Sequence, residues 1–499
     1  MFRTNGFVLA VALSLAPGAS ASQEGQSDPS AEAQLASLEE RLQTLLQEIA
    51  EVQGANGSLA SADAAFALAA VRAQFEERLQ ALDQQVRILE RVLELEREQA
   101  AERASETPTV AAGRDGFQFR SADGDFLLRL RGYFQADGLW VANEGSELAT
   151  SSLFIRRARP VIDATMFQKF DFSMMSDFGQ GRTVLQHVYV AARFSPSVNL
   201  RAGKYKAPFG LERLVSATDL TFVERTLPTR LAPNRDVGVM LYGDLAAARV
   251  SYEAGVFNGV VDGGSADFDA DDGKDFVGRV MVHPFRGSSS ERWEGLGLGM
   301  AVSAGPQEGT VLLPNLPTLA RIGRVPYFRF RSASEAAGTV VADGSHWRLS
   351  PQGYYYGGQL GLMFEYVKTV QDVRREEATA AIASDAWQVA GSWVLTGETP
   401  SYRSVRPRRD FDPARGTWGA FEIVARASRF TVEEEAFPIF ADPERSVEST
   451  WIWTGGFNCY FNRSFKLNVN YEEARFQGGA TPGDRGVERD LLTRLQFSF

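Results

Sequence analysis

The last nine residues alternate. Leu491, Leu495, Phe497 and Phe499 fall on one parity, and Arg494, Gln496 and Ser498 fall on the other. Side chains of a strand point to opposite faces in turn, so this is a strand with one oily and one wet face. An unpaired apolar edge templates aggregation. A closed barrel removes it by pairing the last strand with the first, and in a membrane the oily face then meets lipid.

The same period-2 pattern recurs from about Phe117. Phe126, Leu128, Leu130, Phe134, Ala136 and Trp140 alternate with Arg129, Arg131, Tyr133, Gln135 and Asp137. Ala158, Ile162 and Ala164 alternate with Arg157, Arg159 and Asp163. Further segments follow near 198–206, 236–244, 247–257, 275–285, 294–305, 357–371, 383–397, 418–430, 449–461 and 465–476. Repeated dyads of ~10 residues predict an all-β transmembrane β-barrel. The count is about 16 antiparallel strands, with 18 the alternative, because 324–350 and 430–450 read ambiguously. Turns such as Ser195-Pro196 and Asn462-Arg463-Ser464 are assigned to one end. Long polar loops such as 258–274 and 398–416 are assigned to the other.

Composition agrees with that architecture. The 499 residues are 44% hydrophobic and 23% charged, as expected where lipid-facing and water-facing positions alternate. No segment after residue 21 nears the ~20 apolar residues of a membrane helix. Arg3, the apolar run Phe7–Ala16 and Ala19-Ser20-Ala21 read as a secretory leader over 1–21. A soluble sandwich would bury the oily face instead, and the leader weighs against it. The single cysteine, Cys459, excludes an intrachain disulfide and shares strand parity with Trp453 and Phe457, facing lipid.

A disordered start is expected over 22–30. Residues 31–104 carry a different period. Leu35, Leu38, Leu42, Leu45, Ile49 and Val52 step by three and four, and Leu68, Phe75, Leu79, Leu82, Val86, Leu89 and Leu93 resume the steps after Gly54–Gly57. Such a narrow stripe is an α-helical coiled-coil seam. It requires copies of itself or a hairpin folded about Gly54–Gly57, and both readings stay open. A trimer suits a porous barrel, though the seam does not set that number. A linker over 105–116 and a barrel over 117–499 complete the division, with the helical part in the periplasm.

The net charge of −11 argues against a nucleic-acid partner. Three scattered histidines, no HExxH and no phosphate-cradling glycine loop give no catalytic or cofactor constellation. In the acidic stretch 262–275, Asp272 stands where a calcium loop wants glycine, so no metal is assigned. Basic residues are 46 Arg against 6 Lys. If the apolar parity meets lipid, Arg129 and Arg131 on one strand and Arg157 and Arg159 on the next, beside Arg156, meet water inside. Their guanidinium forks match phosphate or carboxylate oxygens. The competing reading pairs each with a lumen carboxylate such as Asp137, Asp163 or Asp171, which neutralises the wall. The stretch 203–238 is a strand running into a connection of about thirty residues, ordered by Pro208, Gly210 and Pro228. Folded inward, it brings Arg213, Arg225, Arg230 and Arg235 to a constriction with Lys204 and Lys206 at its base.

Several runs in order resemble the phosphate-selective porin O and P family. These are FIRRARP from Phe154, GKYKAPFGLE from Gly203, ERTLP followed by RDVGV, DFVGRVMVHPF from Asp275, YYYGGQLGLMFEYV from Tyr354 and WVLTGETPSY from Trp393. The likeness spans roughly 113–499. It implies a trimeric, 16-stranded outer-membrane channel, not an enzyme, that passes phosphate-like anions. It also implies that Arg156, Arg157 and Arg159 lie on an arginine ladder and that 206–235 is the inward loop. The family's phosphate-specific members also use lysine clusters, which this chain lacks.

Overall fold

The computed structural model describes residues 62–113, 116–142, 150–288, 292–333 and 338–499, with a few isolated positions between 37 and 47. The expected leader, the 22–30 segment and the first half of the helical seam lie outside the described residues. The chain divides into two compact units, Met1–Thr107 and Pro108–Phe499.

The first unit carries α1, Ala62–Glu106. Leu79, Leu82, Val86 and Leu89 are half-buried and Leu93 is buried, whereas their neighbours are exposed. These five positions of the expected stripe are the less exposed ones, while Leu68 and Phe75 lie outside the described side chains. A second strand of a coiled coil is not seen among the described residues.

The second unit opens on a hairpin, β1 Thr109–Gly113 and β2 Gly116–Arg120, where a linker was expected. Then come β3 Phe126–Val141, β4 Ser152–Met166, β5 Phe170–Asp177, β6 Val184–Ser195, β7 Val198–Lys206 and β8 Arg235–Leu245. They are followed by β9 Val250–Phe257, β10 Asp275–Val282 and β11 Leu296–Glu308. Two short strands, β12 Thr318–Leu319 and β13 Phe328–Arg329, pair within the next connection. The series ends with β14 Val341–Gly357, β15 Leu360–Arg375, β16 Ala378–Val394, β17 Ala420–Val432, β18 Val447–Tyr460, β19 Phe465–Gly478 and β20 Glu488–Ser498.

Every sequential pair from β3 onward, leaving out β12 and β13, is antiparallel, and β20 returns to β3 through Phe497↔Phe134 and Leu491↔Trp140. The result is a closed barrel of 16 strands. Closure satisfies all ladder groups within the hydrocarbon layer. The β1–β2 hairpin extends the lower part of β3 through Phe117↔Leu130.

The alternation has its expected sense. Phe134, Trp140, Leu362, Phe364, Leu491 and Leu495 are outward and exposed, while Gln135, Asp137, Glu365, Arg494 and Gln496 are inward and buried. Cys459 departs from expectation. It keeps the outward parity but is only 5% exposed, flanked in register by Phe421 and Leu467.

One loop lies at the opposite end from the one expected. Glu376 and Glu377 alone join β15 to β16, so the chain reverses there and the next connection, 395–419, falls at the end of the 461–464 turn. The backbone confirms it, with Phe411 N donating to Phe461 O at 2.6 Å.

Candidate functional site

The connection between β7 and β8 hydrogen-bonds to side chains of β15, β17, β19 and β20. Gly210, at φ +76°, makes its first corner, and a Cβ there would sit 3.0 Å from Glu365 Oε1. Past the corner, the Leu211 and Glu212 amides donate to the Glu365 carboxylate at 2.6 and 3.2 Å. Thr218 O accepts from Lys466 Nζ and Gln496 Nε2 at 3.1 and 3.0 Å. Val223 N donates to Asn470 Oδ1 at 2.7 Å, and Thr226 Oγ1 meets Ser428 Oγ at 2.7 Å. All these wall partners are inward-facing side chains of β15, β17, β19 and β20. Its own apolar residues, Phe209, Leu227 and Leu231, join a cluster with Phe328, Val373 and Phe430.

On the other side, against β3–β9, a cavity of about 750 Å³ stays open. Ten arginines and two lysines border it, against two carboxylates, Glu224 and Glu253.

Strand β4 contributes the densest cations through a β-bulge. Gln135 pairs with Arg157 and Ala136 pairs with Ile155, so Arg156 is the extra residue. The bulge rotates Arg156 inward, and Arg156, Arg157 and Arg159 all border the cavity. Arg156 Nε donates to Glu224 Oε1 at 2.8 Å. Arg157 Nη1 donates to Gln135 Oε1 at 2.7 Å, while its Nε is buried without a partner among the described residues. Arg159 Nε donates to Asp177 Oδ2 at 2.7 Å, and its Nη1 donates to the Tyr133 hydroxyl at 2.8 Å.

Arg131 pairs with Asp163 and borders the cavity. Arg129 is exposed, stands opposite Asp163 in register and does not border it. Of the other carboxylates expected to neutralise the wall, Asp137 is taken by Arg494 and Asp171 by Arg193.

The remaining expected cations are held differently. Gly203, at φ +128°, breaks the alternation of β7, and Lys204, Tyr205 and Lys206 all border the cavity. Lys204 pairs with Asp267. Lys206 Nζ donates to Val215 O at 2.9 Å, and Arg225 Nη2 donates to the same carbonyl at 2.6 Å. Arg213 donates to Thr229 O, and Arg235 Nη1 reaches Asn234 Oδ1 at 3.4 Å. Arg230 is half-buried at the cavity edge. Among the described residues, none of Lys206, Arg213, Arg225, Arg230 and Arg235 has a carboxylate in ion-pair reach. Burial, and then Arg225 and Arg230, hold the Arg213 guanidinium well below its ordinary value. A guanidinium keeps its proton near neutral pH even so.

Arg201 was not anticipated. It also borders the cavity, with its guanidinium 4.6, 5.3 and 4.8 Å from the rings of Tyr189, Tyr205 and Tyr242. Cation–π contacts fix it without cancelling its charge. The signal available was parity: Arg201 lies inward with Asn199, and tyrosines occupy both neighbouring strands.

Comparison with known proteins adds to this geometry. A model of the family described as phosphate-selective porin O and P matches residues 128–499. Porin O of Pseudomonas aeruginosa is 23% identical over 433 residues, covering 78% of this chain and 92% of that protein. The outer membrane channel DcaP of Acinetobacter baumannii has a similar fold, with a TM-score of 0.50 and 11% identity, over 78% of this chain and all of the other. An anion-selective porin from Comamonas acidovorans aligns at a TM-score of 0.48 and 10% identity, over 75% of this chain and all of its own.

Proposed function

This chain belongs to the phosphate-selective porin O and P family, and we propose that it passively takes up small anions, phosphate or polyphosphate among them, through an arginine-lined lumen narrowed by the 207–234 connection. It is an outer-membrane barrel of the channel type. The observation that carries the reading is the charge around the 750 Å³ cavity, twelve cations against two carboxylates. Among the described residues, seven of those cations, Arg182 and Arg201 included, have no carboxylate in ion-pair reach. A field of fixed positive charge draws anions in, and many partial contacts release them again, as conduction requires.

Arg131, Arg156, Arg157 and Arg159 form one side of the pathway in this reading. Lys204, Lys206, Arg213, Arg225, Arg230 and Arg235 form the other, with Arg129 outside its narrow part. Three copies assemble, and the N-terminal helical part, in the periplasm, contributes its apolar stripe.

Planar-bilayer recording tests the reading. Under a potassium chloride gradient the reversal potential takes the anionic sign, and added phosphate blocks the chloride current. An unselective current without block makes the chain a general porin. No current at all makes it a structural tether.

A further inference from the structure

Glu224 is the point on which the arginine wall converges. It belongs to the 207–234 connection, borders the cavity and keeps 11% of its side chain exposed. Arg156 grips it with two donors, Nε to Oε1 at 2.8 Å and Nη2 to Oε2 at 3.3 Å. Arg494 Nη2, from the far end of the chain, donates to Oε1 at 2.9 Å. Arg157 Nη2 stands 3.9 Å away, and the Arg157 Nε is buried with no acceptor among the described residues. Three guanidinium groups from β4 and β20 thus face a carboxylate carried by neither strand. Asp137, which Arg494 also grips, is the other anion of the cluster. One positive charge is left over. Burial alone would push the Glu224 carboxyl up, yet Arg156, Arg157 and Arg494 hold it well below its ordinary range.

We propose that this cluster is a binding site for a single carboxylate or phosphate group and that Glu224 is its tethered occupant, displaced by ions from the cavity. The inference rests on the anion-channel reading above. A carboxylate and a phosphate present the same paired oxygens to a guanidinium fork. The Glu224 side chain can leave without unfastening the connection, because Val223 N, Thr226 Oγ1 and Glu212 hold the backbone to Asn470, Ser428 and Arg426. A tethered competitor keeps three clustered arginines from trapping an ion, so the site loads and empties.

The test compares block of the chloride current by inorganic phosphate in three channels: wild type, Glu224→Gln and Glu253→Gln. Glu253 is the other carboxylate on the cavity and pairs with Arg279 at 3.1 Å, so its loss adds the same charge without freeing the cluster. Glu224→Gln lowers the half-blocking phosphate concentration about tenfold, as expected when a tethered competitor is removed. Glu253→Gln lowers it less than about threefold by the added field alone. Equal shifts in the two variants, or none in Glu224→Gln, overturn the proposal. Should Glu224→Gln fail to form its barrel, Glu224→Asp keeps the charge but shortens the reach. It lowers the half-blocking concentration by a smaller factor, and an unchanged value overturns the proposal. A wild type without anion preference refutes the channel reading instead, so the two failures are distinct.

Discussion

The inward faces of β15–β19 and of β3–β7 follow the same alternation but meet different things. On β15–β19, Val373, Ile382, Phe430, Ile452 and Phe476 turn inward and are buried against the connections that fold over them. Arg321 and Arg324, from the β11–β14 connection, add buried ion pairs to Glu472, Glu488 and Asp490. On β3–β7 the inward side chains include Arg157, Arg159, Arg201 and their tyrosine neighbours, and space remains in front of them. Alternation therefore tells which side chains leave the lipid. It does not tell whether they meet protein or water.

The contrast can be broken first on the filled side. Phe209→Ala, at 0% exposure, removes a ring from the packed cluster and costs about 3–5 kcal/mol. Thermal unfolding in detergent reads the loss, and single-channel conductance rises as the connection loosens. On the open side the Arg157→Ala, Arg159→Ala pair has the opposite profile. Anion preference falls, and the barrel still forms. An unchanged reversal potential in that double variant would remove β4 from the pathway. Thr226→Val deletes the hydroxyl contact to Ser428 at 2.7 Å and costs about 1 kcal/mol, read as a small drop in unfolding temperature. The smallest effect belongs to Arg129→Ala. That residue is exposed, so its contribution to selectivity is slight in dilute salt and vanishes at about 1 M, where screening is nearly complete.

Much of this was legible from period and parity. The last strand's alternation anticipated its pairing with the first barrel strand, and Pro208, Gly210 and Pro228 marked an ordered connection. Three features were not legible, for distinct reasons. The bulge at Arg156 is a one-residue mismatch against β3, and register belongs to a pair of strands rather than to one. Strand β14 carries Asp343, Gly344 and Ser345 just after its start, and its register shifts between Ala342 and His346, which blurs the dyad. The 395–419 connection was put at the wrong end on its length and polarity alone, and the reversal before it, Glu376-Glu377 with Glu376 at φ +56°, carries no glycine or proline to mark the direction of the chain. Strand direction accumulates along the chain, so the end at which a loop lies follows from the reversals before it and not from its length.

The seam between β20 and β3 has a consequence in time. Its two sides are the first and last strands of the ring, so the cylinder stays open until synthesis of the whole polypeptide is complete. Contacts this distant in sequence form slowly, and an unfinished ring shows raw strand borders to any neighbour. Until the two borders meet, β3 and β20 are open to pairing with any other strand.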